Sequence, residues 1–302
     1  MSDSTLPAAL EALFQAPAHD LGGFSVARAL PQAKCRAVGP VVFLDHMGPA
    51  EIPAGAGFDV RPHPHIGLAT VTYLFEGEIV HRDSLGFTQA IRPGAVNLMI
   101  AGRGITHSER AGDDFRAKGG RVHGVQLWVA LELSHEECEP SFVHFTEASM
   151  TSIEREGARI RVLLGEAYGL RSPAQVSSRA LLADVVLAPD ASLALPDSVQ
   201  DVAFFVVEGT ASVDEIVCAT RALGVRAKGA SLTVKAGPAG AHLVLVGGDY
   251  LDGQYDRHPR FMEWNFVAST RERIDEAKKR WVNRGFPLVP GDERERIPLP
   301  GE

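Results

Sequence analysis

The chain has 302 residues, 45% of them hydrophobic and 23% charged, with a formal net charge of −8. That length and composition fit two globular domains or one large one, and exclude an extended disordered chain. Acidic and basic residues are interspersed without a basic stripe, which argues against direct nucleic-acid binding, and no apolar run is long enough to span a bilayer.

The first residues, MSDSTLPAALEALFQA, lack a basic segment followed by an apolar core, so no signal peptide is expected. Residues 5–16 instead read as a short helix, with Leu10, Leu13 and Phe14 at helical spacing. From about residue 24 the period changes to two. Val41, Val42, Phe43 and Leu44 form one apolar run, and residues 70–75 alternate with Val71, Tyr73 and Phe75 on one face. Glu76-Gly77 gives a turn into a returning strand at 79–82. Asp83-Ser84-Leu85-Gly86 and Arg92-Pro93-Gly94 give two more, the last leading into 96–100, and another strand covers 122–131. Short strands punctuated by 30 glycines and 19 prolines predict an all-β antiparallel sandwich or barrel. Cys35, Cys138 and Cys218 are isolated and form neither a disulfide framework nor a CxxC pair. Reduced thiols in a cytoplasmic protein are expected.

The second half repeats the first weakly. Val207-Glu208-Gly209-Thr210 answers Phe75-Glu76-Gly77-Glu78, and Ala227-Lys228-Gly229-Ala230 answers Arg92-Pro93-Gly94-Ala95. Self-similarity at this long offset predicts two β domains of one architecture. The polar segment 145–157 places them at 1–150 and 151–302. Near the end, Ser269 stands three residues before Glu272 as in a capping box. Ile274, Ala277, Lys278 and Trp281 then share one helical face, and Gly285 and Pro287 stop the helix. It is expected to pack against a barrel.

His63 and His65 lie two apart in Arg-Pro-His-Pro-His, and His107 and Glu109 lie two apart in Gly-Ile-Thr-His-Ser-Glu. In an extended segment, residues at that spacing point to the same side, and Pro62 and Pro64 help hold the first segment extended. Two such pairs on neighbouring strands supply three nitrogens and one carboxylate oxygen. These suit one divalent transition ion, Fe(II) first, with Ni, Mn, Co, Cu or Zn as alternatives. His81 and His123 read as hydrogen-bonded structural histidines, and Gln126 as either pocket-facing or an ordinary sheet position. Acidic neighbours argue against a stabilised thiolate at Cys138. Gly102-Arg103-Gly104 lacks the lysine and helix of a phosphate-binding loop.

The run His63-Pro64-His65-Ile66-Gly67, then Thr70-Val71-Thr72-Tyr73, Glu76-Gly77 and His81-Arg82-Asp83-Ser84, resembles the pirin family of the cupin superfamily. So do Ala101-Gly102-Arg103-Gly104-Ile105-Thr106-His107-Ser108-Glu109 and Gly124-Val125-Gln126-Leu127-Trp128-Val129. Pro259-Arg260-Phe261, Trp264-Asn265-Phe266-Val267 and the helix after them resemble the tail of bacterial pirin-like proteins. The resemblance spans nearly the whole chain and is densest over 60–130. It implies a bicupin, two antiparallel jelly-roll-like β-barrels packed face to face with a C-terminal helix. It implies metal in the N-terminal barrel, on His63, His65, His107 and Glu109. Many pirins carry Arg-Gly-Phe-Glu after the second ligand, where this chain has Ile66-Gly67-Leu68-Ala69. The missing Arg and Glu are not ligands, but they lie close to the site in sequence and bear on pocket polarity and substrate preference.

The activity this resemblance implies is that of a quercetin 2,3-dioxygenase, a metal-dependent oxidoreductase cleaving flavonols or another small enolisable aromatic, with Glu109 doubling as the catalytic base. The alternative it implies is a non-catalytic metal-binding regulator that contacts other proteins. The C-terminal barrel is expected to hold no metal. Alignment of the turns places Leu195 and Asp197 opposite His63 and His65, and His242 and Val244 opposite His107 and Glu109.

Overall fold

A computed structural model describes residues 6–20 and 25–302. Among these residues the fold is all-β and antiparallel, with two α-helices, Asp113–Lys118 and Arg271–Val282. No described helix is long and apolar enough to cross a membrane.

The chain forms two compact units, and a single cut near residue 150 does not separate them. One unit comprises Met1–Pro17, Ala27–Leu44 and Ala148–Arg257; the other comprises Ala18–Val26, Asp45–Glu147 and His258–Glu302. The expected 1–150 and 151–302 division therefore gives way to an interleaved one. The expected N-terminal helix also gives way. Residue 5 lies outside the described residues, and Leu10–Gln15 is a strand paired antiparallel with Ala222–Arg226. That pairing adds it to the largest sheet of its unit, nine-stranded among the described residues. Leu10 joins a core with Ile160, Leu181, Phe204, Val234 and Leu243, and Leu13 packs against the same core. Strand pairing and burial override the local helical spacing.

The other unit carries the predicted ligands. Its four-stranded sheet has the order Asp59–His65, Ile105–Arg110, Ile79–Asp83, Thr88–Ile91. Asp59–His65 is an edge strand, the position where Pro62 and Pro64 cost no ladder hydrogen bond. The ladder shifts register between His107 and Glu109, whose Cα partners are His63 and Val60. The extra residue on the edge strand is a β-bulge, a device that re-aims side chains beside a site. The edge also meets the C-terminal segment, where the Ile297 amide donates to the Pro62 carbonyl at 2.8 Å. In the companion sheet, Leu68–Glu76 pairs with Gly120–Ala130 on one side and Val96–Ile100 on the other. Met47, Phe58, Leu74, Ile79, Ile91 and Val122 form a buried core in this unit.

The helix Arg271–Val282 belongs to the same unit. Its Ile274, Ala277 and Trp281 are buried with Phe266 and Phe286, and Ile66 packs against them. Lys278 reaches back to Glu263 at 2.5 Å. The N-cap is Thr270, whose side chain accepts from the Arg273 amide, rather than Ser269. The Ser269 hydroxyl is taken elsewhere: it donates to the buried Glu136 at 2.7 Å, and Arg273 pairs with the same carboxylate.

Candidate metal centre

Register assembles the site. His63 lies directly opposite His107 across one ladder, and the strand on the other side sets Asp83 opposite His107 and His81 opposite Glu109. Paired residues and their i+2 neighbours share a face. His63, His65, His107, Glu109, His81 and Asp83 are therefore presented together, and all six are buried.

The three predicted histidine ligands converge. Each offers a nitrogen, and these atoms all lie within 4.8 Å of one another. His65 Nε2 and His107 Nε2 are 3.0 Å apart, and the His63 ring centroid is 4.4 Å from that of His107. Glu109 shares the face but not the cluster. Its Oε1 accepts from Gln126 Nε2 at 2.8 Å, and the same amide donates to Thr72 Oγ1 at 3.2 Å. Trp128 sets its ring edge-on to His65 with centroids 5.1 Å apart.

Burial pushes the pKa of all three imidazoles down, well below the ordinary value for His65 and His107. Neighbouring imidazoles add to the drop at His65 and His107, while the Arg61 carbonyl and the Glu109 carboxylate oppose it at His63. Neutral imidazole is the form that binds metal. The tautomers are also set. His63 Nδ1 lies 2.9 Å from the Arg61 carbonyl oxygen, and His65 Nδ1 lies 3.0 Å from that of Asn265. A carbonyl only accepts, so both rings donate from Nδ1 and turn the Nε2 lone pair inward. Two nitrogens bound cis to one ion, each at about 2.1 Å, stand about 3.0 Å apart, which matches the observed His65–His107 separation. The donor set fits a divalent transition ion.

Two residues read more modestly from sequence belong to this site. His81 is hydrogen-bonded, as expected, but its partners tie it to the centre. Its Nδ1 is 3.3 Å from His107 Nδ1, its Nε2 is 2.9 Å from Asp83 Oδ2, and its ring stacks on Phe142 at 4.3 Å. The available signal was the two-residue spacing of His81 and Asp83, the same as in the ligand pairs. Gln126 faces the site and holds Glu109. His123 pairs instead with His46, Nε2 to Nε2 at 2.8 Å. Burial pushes the Cys138 thiol up, in keeping with an inert thiol. Gly102 serves a tight turn, with φ +49° and a hypothetical Cβ only 2.0 Å from the Cys138 carbonyl oxygen.

In the other unit, His242 Nε2 meets Asp184 Oδ1 at 2.6 Å, Leu195 lies in the core, and Asp197 accepts from Arg226. His242 thus has a carboxylate partner of its own.

Comparison with known proteins agrees with this architecture. The pirin family model matches residues 23–129, and the model of the pirin C-terminal cupin domain matches residues 182–287. A pirin-like protein of Caulobacter vibrioides is 43% identical over 294 residues, 96% of this chain and 99% of its own. The crystal structure of a quercetin 2,3-dioxygenase from Acinetobacter baumannii matches with a TM-score of 0.87 at 33% identity, over 96% of this chain and 95% of that one. A bacterial pirin from Escherichia coli, crystallised in complex with nickel(II), shares the fold at 19% identity and a TM-score of 0.60, over 79% of this chain and all of its own. With a model match in each half and a relative similar from end to end, this two-domain cupin belongs to the pirin family.

Proposed function

We propose that the protein is a metal-dependent dioxygenase acting on flavonols such as quercetin. The observation that carries this reading is the convergence of three buried, neutral imidazoles beside a carboxylate held by a side-chain amide. His63, His65 and His107 would hold the ion, with Glu109 as the fourth ligand. Fe(II) heads the candidates, and Ni, Mn, Co, Cu and Zn suit the same donors. The bound ion would supply Lewis acidity toward the deprotonated 3-hydroxyl of the flavonol. In the net reaction both oxygen atoms of O2 enter the product and carbon monoxide leaves.

The chain's own residues supply position and proton transfer. Gln126 holds Glu109 Oε1 and leaves Oε2 to serve the ion or the substrate proton. With a flavonol seated at the triad, Glu109 would be the carboxylate within reach of the 3-hydroxyl proton, as a general base must be. Trp128 gives the site an aromatic wall beside His65. The A. baumannii enzyme named for this activity, similar over nearly the whole chain, supports the same reading.

The test is oxygen uptake with quercetin after loading with each of the six metals in turn. At least one loaded form is expected to consume oxygen while the metal-free protein does not. If no loaded form consumes oxygen, the enzymatic reading falls and a non-catalytic metal-binding regulator takes its place.

A further inference from the structure

We propose that a cavity on the far side of the sheet from the histidine triad is a ligand site of its own, fitted to a single-ring aromatic carboxylate with a hydroxyl opposite its acid group. It stands whether or not the triad holds a metal.

The cavity has a volume of about 150 Å³ and is lined by Pro62, Thr106 and the chain from Trp281 to Arg296. Pro62 and Thr106 each precede a triad histidine by one residue, so their side chains point to the opposite side of the sheet. Trp281, Phe286 and Val289 are buried and give the cavity apolar walls. The frame is tied at two points. The Ile297 amide donates to the Pro62 carbonyl at 2.8 Å, and Trp281 Nε1 donates to the Ile297 carbonyl at 3.0 Å. An apolar cavity of about this volume holds one benzene ring.

The polar groups define what the ring must carry. Thr106 is 2% exposed, yet its hydroxyl has no hydrogen-bond partner in the protein. Buried hydroxyls are seldom left so, and a phenolic hydroxyl on the ligand can both give to it and take from it. At the outer end the acidic groups are already engaged. Arg110 donates to Asp292 at 2.7 and 2.8 Å and to Glu295 at 2.8 Å, and Glu293 accepts from the Gly291 amide at 2.9 Å. Arg296 is engaged too, by the Trp281 carbonyl at 2.8 Å and by Glu302. Arg284 and Arg294 also line the cavity, are exposed, and make no side-chain hydrogen bond or ion pair among the described residues. Two uncommitted guanidiniums at the mouth select a carboxylate, and the unmatched hydroxyl at the buried end selects a second polar group across the ring.

The test titrates the full chain with 4-hydroxybenzoate, benzoate and 4-hydroxybenzamide, with the Trp281 indole N–H as the NMR reporter, once with chelator and once with zinc. The hydroxybenzoate is expected to bind most tightly and to shift the Trp281 signal equally in both conditions. Benzoate should bind about 2- to 10-fold more weakly, the worth of one hydrogen bond. In Thr106→Val, which keeps the shape but removes the hydroxyl, that gap should close. Removing Arg284 and Arg294 together by Ala should weaken 4-hydroxybenzoate by about two- to fivefold per arginine and leave 4-hydroxybenzamide unchanged. No shift at Trp281 with any of the three overturns the proposal, as does a shift that requires zinc, which would put the ligand at the triad. Unaltered hydroxybenzoate binding in the arginine variant also overturns it. Should Thr106→Val fail to fold, equal binding of benzoate and 4-hydroxybenzoate by wild type overturns it. If zinc does not bind, the metal reading falls, while the titration with chelator still decides this site.

Discussion

Gln126 engages one oxygen of Glu109, so the carboxylate is held in place without being used up. Conversion of Glu109 to Gln keeps an acceptor for the Gln126 amide and keeps the shape, but removes charge and basicity. The three histidines are expected to retain much of the metal in this variant. Flavonol turnover should drop by about a hundredfold to ten-thousandfold, the usual worth of a general base. The measurement is steady-state oxygen consumption normalised to bound metal, and a rate near wild type would remove Glu109 from the proton-transfer role. The clustering of the three histidines was legible because a spacing of two sets a common face wherever the strand lies. Gln126 and His81 were only partly legible, because their contacts depend on which strands lie side by side, and no local pattern states that.

The strand Leu10–Gln15 shows how a regular element can carry another element's signature. Its ladder shifts register between Leu10, opposite Arg226, and Ala12, opposite Val225. One extra residue in the strand lets Leu10 and Leu13, three apart, pack against the same core, and that spacing reads as helical. The C-terminal helix was legible from its apolar face, but its cap was displaced by one residue. Ser269 fits the capping pattern as well as Thr270 does. Only the buried Glu136, 133 positions away, draws the serine out of that role. Thr270→Ala is expected to cost about 1 kcal/mol, as for other N-cap truncations, and to leave metal content unchanged. A lowered denaturant midpoint would show this, whereas an unchanged one would mean that the Thr270 contact to Arg273 contributes nothing.

At the scale of the whole molecule, two β units were legible from the repeated Glu-Gly turns, but the way the chain is shared between them was not. Strand pairing recruits 10–15 to the unit built mainly from 148–257, and apolar packing places 271–282 in the unit of the histidine triad. Each exchange joins residues far apart in the chain. The buried triad also couples folding to acidity. The folded protein holds its three imidazoles at lowered pKa, while the unfolded chain takes up their protons near pH 6.5. Below that value the unfolded state binds more protons, so stability falls as pH falls toward the folded-state values, by up to about 1.4 kcal/mol per pH unit for each imidazole. Denaturation of the metal-free protein should therefore become easier between about pH 7 and about pH 5. A midpoint that stays flat over that range would show that burial does not depress these groups.

The prolines beside His63 and His65 bear on how the molecule stays separate from its neighbours. Pro62 turns its carbonyl away from the neighbouring strand to Ile297, so residue 62, and residue 64 two steps on, present their backbone groups to the side that the C-terminal segment meets. Neither has an N–H to give. Both prolines are buried, so this stretch of the strand edge offers two positions without donors and one acceptor already taken by Ile297. The residues that keep His63 and His65 extended thus also deny the edge to strand addition, the first step of edge-to-edge aggregation.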